Sequence, residues 1–414
     1  MTTNKNYYNG TIPFIKSAEI YFETTQEFLT DEGLQNSSAK WVSKGDLLFA
    51  LYGANSGEVA VSKIDGVINQ AVLCIKNDKQ ISDTTFLYNY FLMAKRFLVA
   101  KFLQGGQGNL SAQIIKQIQI PLPPLAEQEK IAQILSVWDK GISVLKSLIE
   151  AKTKRKKALM QRLLTPPTHP LTPSAREGEQ KSHHDTNAPP LAGGVGVGYS
   201  HTKNNRNDDK VLDCHDLTAS NLAMTEKNIK AKQTLRFAEF TDKWQEMRLG
   251  DIIFATTSNL TLQNIDDKGE FPVFGANGLI GYINFYHKEN ECLGVVKDGA
   301  GVGRTYFLPK KSSALNTLQY IETNQADIKF VYYLFLNIKW TNWIKGSTIP
   351  HIFFNDYKNL IIKLPTLAEQ KKIAQVLSAC DKEIELLKSK FQCLKTQKKG
   401  LMQRLLNGKV RVKI

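Results

Sequence analysis

Two long segments of the chain share a heptad pattern of apolar residues, in which steps of four and three alternate. Such a pattern keeps one narrow apolar stripe on a helix and predicts pairing with another helix. Because both segments carry the stripe, we expect an antiparallel intramolecular coiled coil of about 40 residues, about 60 Å long. The candidate seam residues are Ile131, Leu135, Trp138, Ile142, Leu145, Ile373, Leu377, Ile384, Leu387, Leu401 and Leu405.

These two segments are copies of one sequence. Residues 122–164 and 364–406 are identical at about 26 of 43 positions, at a constant offset of 242 and without a gap. Shared helix composition does not produce so long a match, so the chain contains a duplication. We therefore expect a tandem repeat with pseudo-two-fold symmetry.

Lysine interrupts the apolar seam at three core positions, Lys152, Lys156 and Lys398. A polar residue at such a position either fixes the register of two helices or provides a wet patch for another protein. The start of the second helix is also marked, because Thr366 and Glu369 have the spacing of a capping box.

A stretch of about 120 to 130 residues precedes each predicted helix and mixes short β-like runs with helical ones. We therefore predict an α+β fold with two mixed α/β domains separated by two long helices. Prolines, glycines and polar residues without periodicity indicate a flexible linker or insertion after the first helix. The predicted segments are a first domain at 1–121, a helix at 122–165, the linker at 166–232, a second domain at 233–363 and a helix at 364–408.

Charge and composition narrow the class of protein. The 414 residues carry a formal net charge of +15, which favours nucleic-acid partners but also suits a merely solubilising surface. Five cysteines without metal-ligand spacing indicate a reducing compartment and no zinc site, and His183-His184 has no third ligand nearby. No apolar run approaches about 18 residues, so we expect a cytoplasmic protein that does not contact a membrane.

Both domains place a small-residue turn near their middle, at 52–57 and 297–304, followed by a polar pair. Glycine turns let the backbone approach a surface, and Asn, Gln and Arg bond to the edges of bases. For any single residue here, an ordinary β-turn with a side-chain cap is the alternative. The sequence contains no phosphate loop, no zincin motif and no convincing nucleophile constellation.

Together, these motifs resemble the specificity subunits of Type I restriction-modification enzymes. The resemblance rests on the repeated Leu-Pro-x-Leu-Ala-Glu-Gln-x-Lys-Ile-Ala-Gln motif, the Met-Gln-Arg-Leu-Leu endings, and segments 12–16, 235–251, 297–303 and 314–319. It implies two target recognition domains that read halves of an asymmetric, split DNA site. The candidate DNA-binding residues are Lys16, Ser17, Lys44, Tyr52, Asn55, Asn69, Gln70, Gln107, Asn109, Lys297, Asp298, Arg304, Asn316, Gln319, Lys345, Thr348 and His351.

The resemblance also implies the partners. We expect double-stranded DNA, two methyltransferase subunits docked on the seam helices, and restriction subunits. S-adenosylmethionine, ATP and magnesium are expected only in the partner chains, with no catalytic or metal-binding residue here. One alternative is an enzyme with its own recognition domains, which needs a cofactor site that the sequence lacks. Another is a coiled-coil scaffold with only non-specific DNA affinity.

One segment departs from the family pattern. The second domain opens with 235–251 well before the strand-like Phe271-Pro272-Val273-Phe274, whereas the first reaches Ile12-Pro13-Phe14-Ile15 almost at once. We therefore expect the first domain to lack about 15 to 25 starting residues. The long linker is also atypical, so a truncated or silent copy of a specificity subunit is a further alternative.

Overall fold

The structure is a computed structural model, which describes residues 4–102, 110–166, 235–266 and 269–414. The chain forms two compact units: unit 1 contains 1–150 and 385–414, and unit 2 contains 151–384. Both divisions fall inside the long helices, so each unit combines one recognition segment with parts of both helices. The predicted linker, except for Pro166, lies outside the described residues, as do Gln107 and Asn109.

Unit 1 contains two small sheets and the helices that pack on them. The strands of one sheet are ordered β2-β1-β6-β3, with β1 parallel to β6, and the other sheet is the antiparallel β5-β4-β7. The elements are β1 (Tyr8–Ile15), β2 (Glu27–Leu29), α1 (Asp31–Gln35), β3 (Lys40–Val42), β4 (Leu47–Ala50), β5 (Val59–Val61), β6 (Gly66–Ile68), β7 (Val72–Ile75), α2 (Thr84–Phe102), α3 (Ala112–Lys116) and α4 (Leu125–Leu163).

Unit 2 repeats this plan with additional strands. Its sheets are ordered β13-β12-β15-β9, β11-β10-β14 and β16-β8, and β10 and β14 are parallel. The elements are β8 (Gln245–Arg248), α5 (Leu249–Ile252), β9 (Phe254–Thr257), β10 (Phe271–Gly275), β11 (Gly278–Ile283), β12 (Cys292–Val296), β13 (Thr305–Leu308), β14 (Ser313–Ala314), β15 (Leu318–Glu322), α6 (Ile328–Asn337), α7 (Phe354–Tyr357), β16 (Ile361–Leu364) and α8 (Leu367–Leu406).

The central strand of each unit is buried on both faces. In β4, Leu47 and Phe49 pack in the core that includes α2, whereas Leu48 and Ala50 pack in a second core on the opposite face. The corresponding strand β12 is likewise buried throughout. Burial on both faces explains why these strands read as continuous apolar runs without the alternation of a half-exposed strand.

Within each unit, the start of one long helix packs against the end of the other. In unit 1, Ile131 and Leu135 of α4 share a core with Met402 and Leu405 of α8. In unit 2, the repeat-related residues of α8, including Ile373 and Leu377, share a core with Met160 and Leu163 of α4. The helices therefore run antiparallel, and the predicted α+β fold with paired helices is confirmed.

The predicted seam residues are mostly taken up inside the protein. Buried are Ile131, Leu135, Leu145, Ile373, Leu377, Ile384 and Leu405, and partly buried are Trp138, Ile142, Leu387 and Leu401. Side chains packed in this way stabilise the helix pair but leave little surface for another protein. Apolar residues outside the seam, among them Val144 and Leu386, are the exposed ones.

Each interrupting lysine pairs with an acidic residue of the opposing helix. The Lys398 ammonium lies 2.6 Å from Asp139 in unit 1, and Lys156 pairs with Asp381 in unit 2. The repeat offset of 242 relates Asp139 to Asp381 and Lys156 to Lys398, so these are two copies of one contact. Lys152 likewise pairs with Glu383. Because the lysine charges are used within the protein, these contacts favour the register explanation over a docking patch.

The Glu-Gln pair of the repeated motif anchors each long helix to its recognition segment. Gln370 accepts from the Asp327 backbone amide at the start of α6 and donates to the Pro365 carbonyl. Gln128 makes the same contacts in unit 1. The preceding glutamates, Glu127 and Glu369, are nearly fully buried and each binds an arginine.

The predicted capping box forms only in half. Thr366 accepts from the Glu369 backbone amide at 3.4 Å. The Glu369 carboxylate instead accepts from Arg236 through both oxygens, at 2.9 Å each, and from the Trp244 indole. A bidentate bond to a guanidinium is stronger than one to a neutral backbone amide, which explains the choice.

Candidate nucleic-acid interface

The glycine turn of unit 2 joins β12 to β13 in a closed loop. Val296 donates to the Arg304 carbonyl and Gly303 donates to the Val296 carbonyl, both at 2.9 Å. Gly299 and Gly303 have φ angles of +88° and +85°, a region that side chains rarely adopt. A Cβ atom at Gly303 would also lie 2.5 Å from the Trp340 ring, so this position admits only glycine.

Unit 1 contains the same loop between β4 and β5. Ala50 donates to the Glu58 carbonyl at 2.8 Å and Gly57 donates to the Ala50 carbonyl at 2.9 Å. Gly53 and Gly57 have φ angles of +76° and +84°. The two loops, 51–58 and 297–304, thus have one backbone design despite their different sequences.

The last residue of the loop differs in charge between the units. In unit 1 it is Glu58, whose carboxylate pairs with Lys95 and accepts from the Tyr21 hydroxyl. Burial opposes ionisation of Glu58, but these hydrogen bonds outweigh it and hold its pKa below the usual value. In unit 2 the residue is Arg304, which is exposed and donates to the Asn277 side chain at 3.1 Å.

An exposed amide also occupies the same place in both units. Leu51 donates to the Ala71 carbonyl at 2.8 Å, and Lys297 donates to the Thr317 carbonyl at 2.9 Å. The residues before these acceptors, Gln70 and Asn316, are therefore equivalent, and both are exposed. Neither belongs to the core, so both amides can meet a ligand from outside.

Gln319 does not join this surface, contrary to its selection as a DNA-binding candidate. It is only 3% exposed, and its amide donates to the Tyr357 hydroxyl at 2.7 Å. Its position in β15 places the side chain in the core, where a base edge cannot reach it. Asn69 has a partly structural role, because its side-chain oxygen accepts from the Ala71 amide at 3.0 Å.

A second loop, 345–351, lies against the glycine loop of unit 2. Lys345 and His351 exchange backbone hydrogen bonds, and Gly299 donates to the Pro350 carbonyl at 2.8 Å. These bonds place the candidates Lys345, Thr348 and His351 beside Lys297 and Asp298. Lys297 pairs with Asp298, and Lys345 pairs with Asp356 at 2.8 Å, so part of this positive charge is already balanced.

The remaining candidates of unit 1 are spread over several turns. Tyr52 and Asn55 belong to the glycine loop, whereas Lys16 and Ser17 follow β1, and Lys44 lies in the turn between β3 and β4. Lys16 pairs with Glu27. The structure therefore brings together only part of the predicted set in unit 1.

Sequence reasoning missed the residues that support the loops and two that extend them. Asn277 holds Arg304, and Trp340 closes over Gly303. Ile349 and Phe353 expose apolar side chains within and next to the second loop. A sequence signal for them was the apolar run Ile349-Pro350-His351-Ile352-Phe353-Phe354, because proline marks a turn or loop.

Among the described residues, no group of His, Cys, Asp or Glu side chains is arranged to hold a metal ion. Within the same ranges, no helix is long and apolar enough to cross a membrane.

Comparison with known proteins identifies the family. The model of the Type I restriction modification DNA specificity domain matches twice, at 1–152 and 241–396. The MjaVIII specificity subunit of Methanocaldococcus jannaschii is 25% identical over 389 residues, which cover 90% of this chain and 80% of that one. The putative MjaX specificity subunit of the same organism is 25% identical over 395 residues, covering 89% and 79%.

A solved structure has the same fold. The S subunit of the Type I restriction-modification system of M. genitalium aligns with a TM-score of 0.54 at 16% identity, covering 98% of this chain and 91% of that one. Two domain matches, one per recognition segment, agree with the two copies of the glycine loop. The chain belongs to the family of Type I restriction-modification DNA specificity subunits.

Proposed function

We propose that the two recognition segments read two unlike halves of an asymmetric DNA target. The main support is that the same loop backbone occurs in both units, whereas the side chain at its last position differs. It is the acidic Glu58 in unit 1 and the basic Arg304 in unit 2. The neighbouring amide also differs in length, Gln70 against Asn316. Because arginine prefers the guanine edge and glutamate accepts from the amino group of cytosine, unlike side chains at the last loop position favour unlike half-sites.

We further propose that the chain is a non-catalytic cytoplasmic subunit that docks two methyltransferase subunits and restriction subunits. S-adenosylmethionine, ATP and magnesium would then bind only in those partner chains. Two docking surfaces are supported by a pair of apolar residues on the long helices. Val144 of α4 and Leu386 of α8 occupy equivalent positions of the repeat. Both are exposed, at 68% and 71%, and Val137 and Leu148 are also exposed on the same face of α4. Exposed apolar side chains that lie together mark interaction surfaces. Repeated apolar positions suit two copies of one partner.

The decisive experiment measures sequence preference. The chain is purified together with its methyltransferase partner and incubated with random duplexes, and the bound fraction is sequenced. We expect a bipartite consensus with two different halves. Binding without any preference would contradict the proposal and favour the scaffold, whereas preference at only one half would indicate that one recognition segment is silent. Methyl transfer or cleavage by the chain alone would favour an enzyme.

Docking of the methyltransferase subunits is tested by placing negative charges on the exposed faces of the long helices. Val144→Glu and Leu386→Glu place a carboxylate on each proposed surface, and Ser143→Glu adds the same charge at an exposed position of α4 that faces away from Val144. We expect each of the first two variants to retain one methyltransferase subunit and the double variant to retain none. Ser143→Glu should retain two, and full retention by the double variant would exclude these surfaces.

A further inference from the structure

A cleft of about 520 Å³ opens in unit 1 beside the exposed amide Gln70. It lies between the start of β1, the end of α1 and the turn after β6, so three separate parts of the fold line it. This volume is within the range of about 300 to 1,000 Å³ that is usual for small-molecule sites. The cleft is connected to the candidate interface, because Ala71, next to Gln70, holds the start of the glycine loop.

The lining of the cleft contains no charged side chain among the described residues. Its walls are aromatic and aliphatic, with Tyr7, Tyr8 and Phe14, and its polar groups are hydroxyls and amides. A phosphate or a carboxylate would require a cationic partner, and a metal ion would require carboxylates. In a chain with a net charge of +15, an uncharged cleft is suited to an uncharged ligand.

The amides of the lining have defined roles. Asn69, which lines the cleft, uses its oxygen to accept from Ala71 at 3.0 Å, so the group it can offer a ligand is its amino group. Asn36 uses its amino group to donate to the Glu32 carbonyl at 3.1 Å, which leaves its oxygen as an acceptor. Gln35 and Gln70 can each supply either kind of group. Donor and acceptor groups between aromatic walls suit a planar ring whose edge also carries a donor beside an acceptor, as adenine does.

We propose that this cleft binds the uncharged ring of a purine nucleobase, displaced from a DNA duplex or carried by a free nucleoside. The DNA source rests on the proposed recognition function, and the nucleoside source does not. Displacement is least costly for a base that is already unpaired. The cleft is therefore expected to discriminate between purine rings and inorganic phosphate.

The first test titrates the full chain with 2-aminopurine riboside, a fluorescent purine nucleoside. We expect a saturable change in fluorescence that adenosine reverses and inorganic phosphate does not. Ser38→Phe, which fills the cleft, and Gln35→Ala should weaken binding by about tenfold or more, as loss of a well-fitted contact predicts. Ser43→Phe, an exposed position outside the lining, should bind like the unaltered chain.

The second test identifies the source of the ring. A duplex with one unpaired 2-aminopurine is compared with the same duplex fully paired. Tighter binding of the unpaired duplex that Ser38→Phe abolishes supports a displaced base, whereas riboside binding without this preference supports a free nucleoside. If neither probe binds in the cleft, the proposal is wrong. Sequence preference of the unaltered chain, measured in parallel, shows separately whether the proposed recognition function holds.

Discussion

The guanidinium of Arg411 donates to both carboxylate oxygens of Glu127, at 2.9 and 2.6 Å. Arg236 binds Glu369 in the same bidentate way at the start of the other long helix. The segment 235–251, expected to have no counterpart in the first domain, thus has a partial one in residues 410–412. This counterpart follows α8 along the chain, which is why a comparison of the two N-terminal regions did not reveal it.

The first prediction concerns the acid stability of this contact. Hydrogen bonds from Arg411 and from the Val412 backbone hold the pKa of Glu127 below its usual value. A lowered folded-state pKa contributes stability above the ordinary glutamate pKa of about 4.3, and this is lost as the pH falls through the lowered value. Arg411→Ala should therefore weaken hydrogen-exchange protection at the start of α4 at neutral pH and flatten its loss on acidification. An unchanged acid dependence would exclude this role.

The second prediction concerns the contribution of the Lys398–Asp139 ion pair to the stability of the helix pair. Asp139→Ala leaves Lys398, whose side chain is 8% exposed, without its partner. The loss should be about 1 to 2 kcal/mol, since Asp139 itself is half-exposed. Lys398→Leu restores an apolar seam and should cost less. Urea unfolding measures both, and Asp381→Ala is the matched variant of the other pair. A larger loss from Lys398→Leu would contradict this account.

The third prediction compares two glycines in one loop. Both glycines have left-handed φ angles, which strain an alanine. An alanine Cβ at position 303 would also clash with Trp340, whereas at position 299 no atom lies within 4 Å of the added Cβ. Gly299→Ala should cost about 1 kcal/mol and Gly303→Ala clearly more. Thermal unfolding gives the comparison, and equal losses would show that Trp340 moves freely.

The fourth prediction tests readout by the arginine of unit 2. Arg304 is exposed and donates to Asn277. Under the proposed function, its guanidinium bonds a guanine edge. Arg304→Ala should relax selection at one position of one half-site, by about 1 to 3 kcal/mol, and leave the other half unchanged. Sequencing of bound duplexes measures this. Arg248→Ala, an exposed arginine in β8, should leave the consensus intact.

The fifth prediction concerns the helices as a spacer. Seven residues are inserted at equivalent places of the repeat, between Ser147 and Leu148 and between Ser389 and Lys390. One heptad lengthens a helix by about 10 Å, so the gap between half-sites should grow by about three base pairs. The half-sites themselves should stay the same. An unchanged gap would rule out this spacer role.

Much of the fold could be predicted because its determinants are local or repeated. The heptad pattern identified both long helices, and the duplication implied that they pair. The function of the Glu-Gln motif could not be predicted, because its partners Arg236, Asp327 and Arg411 are 43 or more residues away from it. The local sequence predicted that Glu369 completes a capping box, whereas its carboxylate binds the distant Arg236.

The candidate interface was likewise predictable only where its determinants are local. Glycines at 53, 57, 299 and 303 indicated the turns, since left-handed backbone favours that residue. Gln319 was selected because it is polar and follows the turn, but only the sheet register shows that it faces the core. The equivalence of Gln70 and Asn316 likewise depends on backbone hydrogen bonds that no motif records.

The shared loop has a consequence for how such a protein changes over time. Its path depends on two glycines and on backbone hydrogen bonds, none of which uses the side chain at the last position. One loop path therefore carries Glu58, paired with Lys95, in one copy and Arg304, bonded to Asn277, in the other. Under the proposed function, a change of this side chain together with its partner would alter what the protein recognises while the loop backbone is kept, which makes the surface readily evolvable.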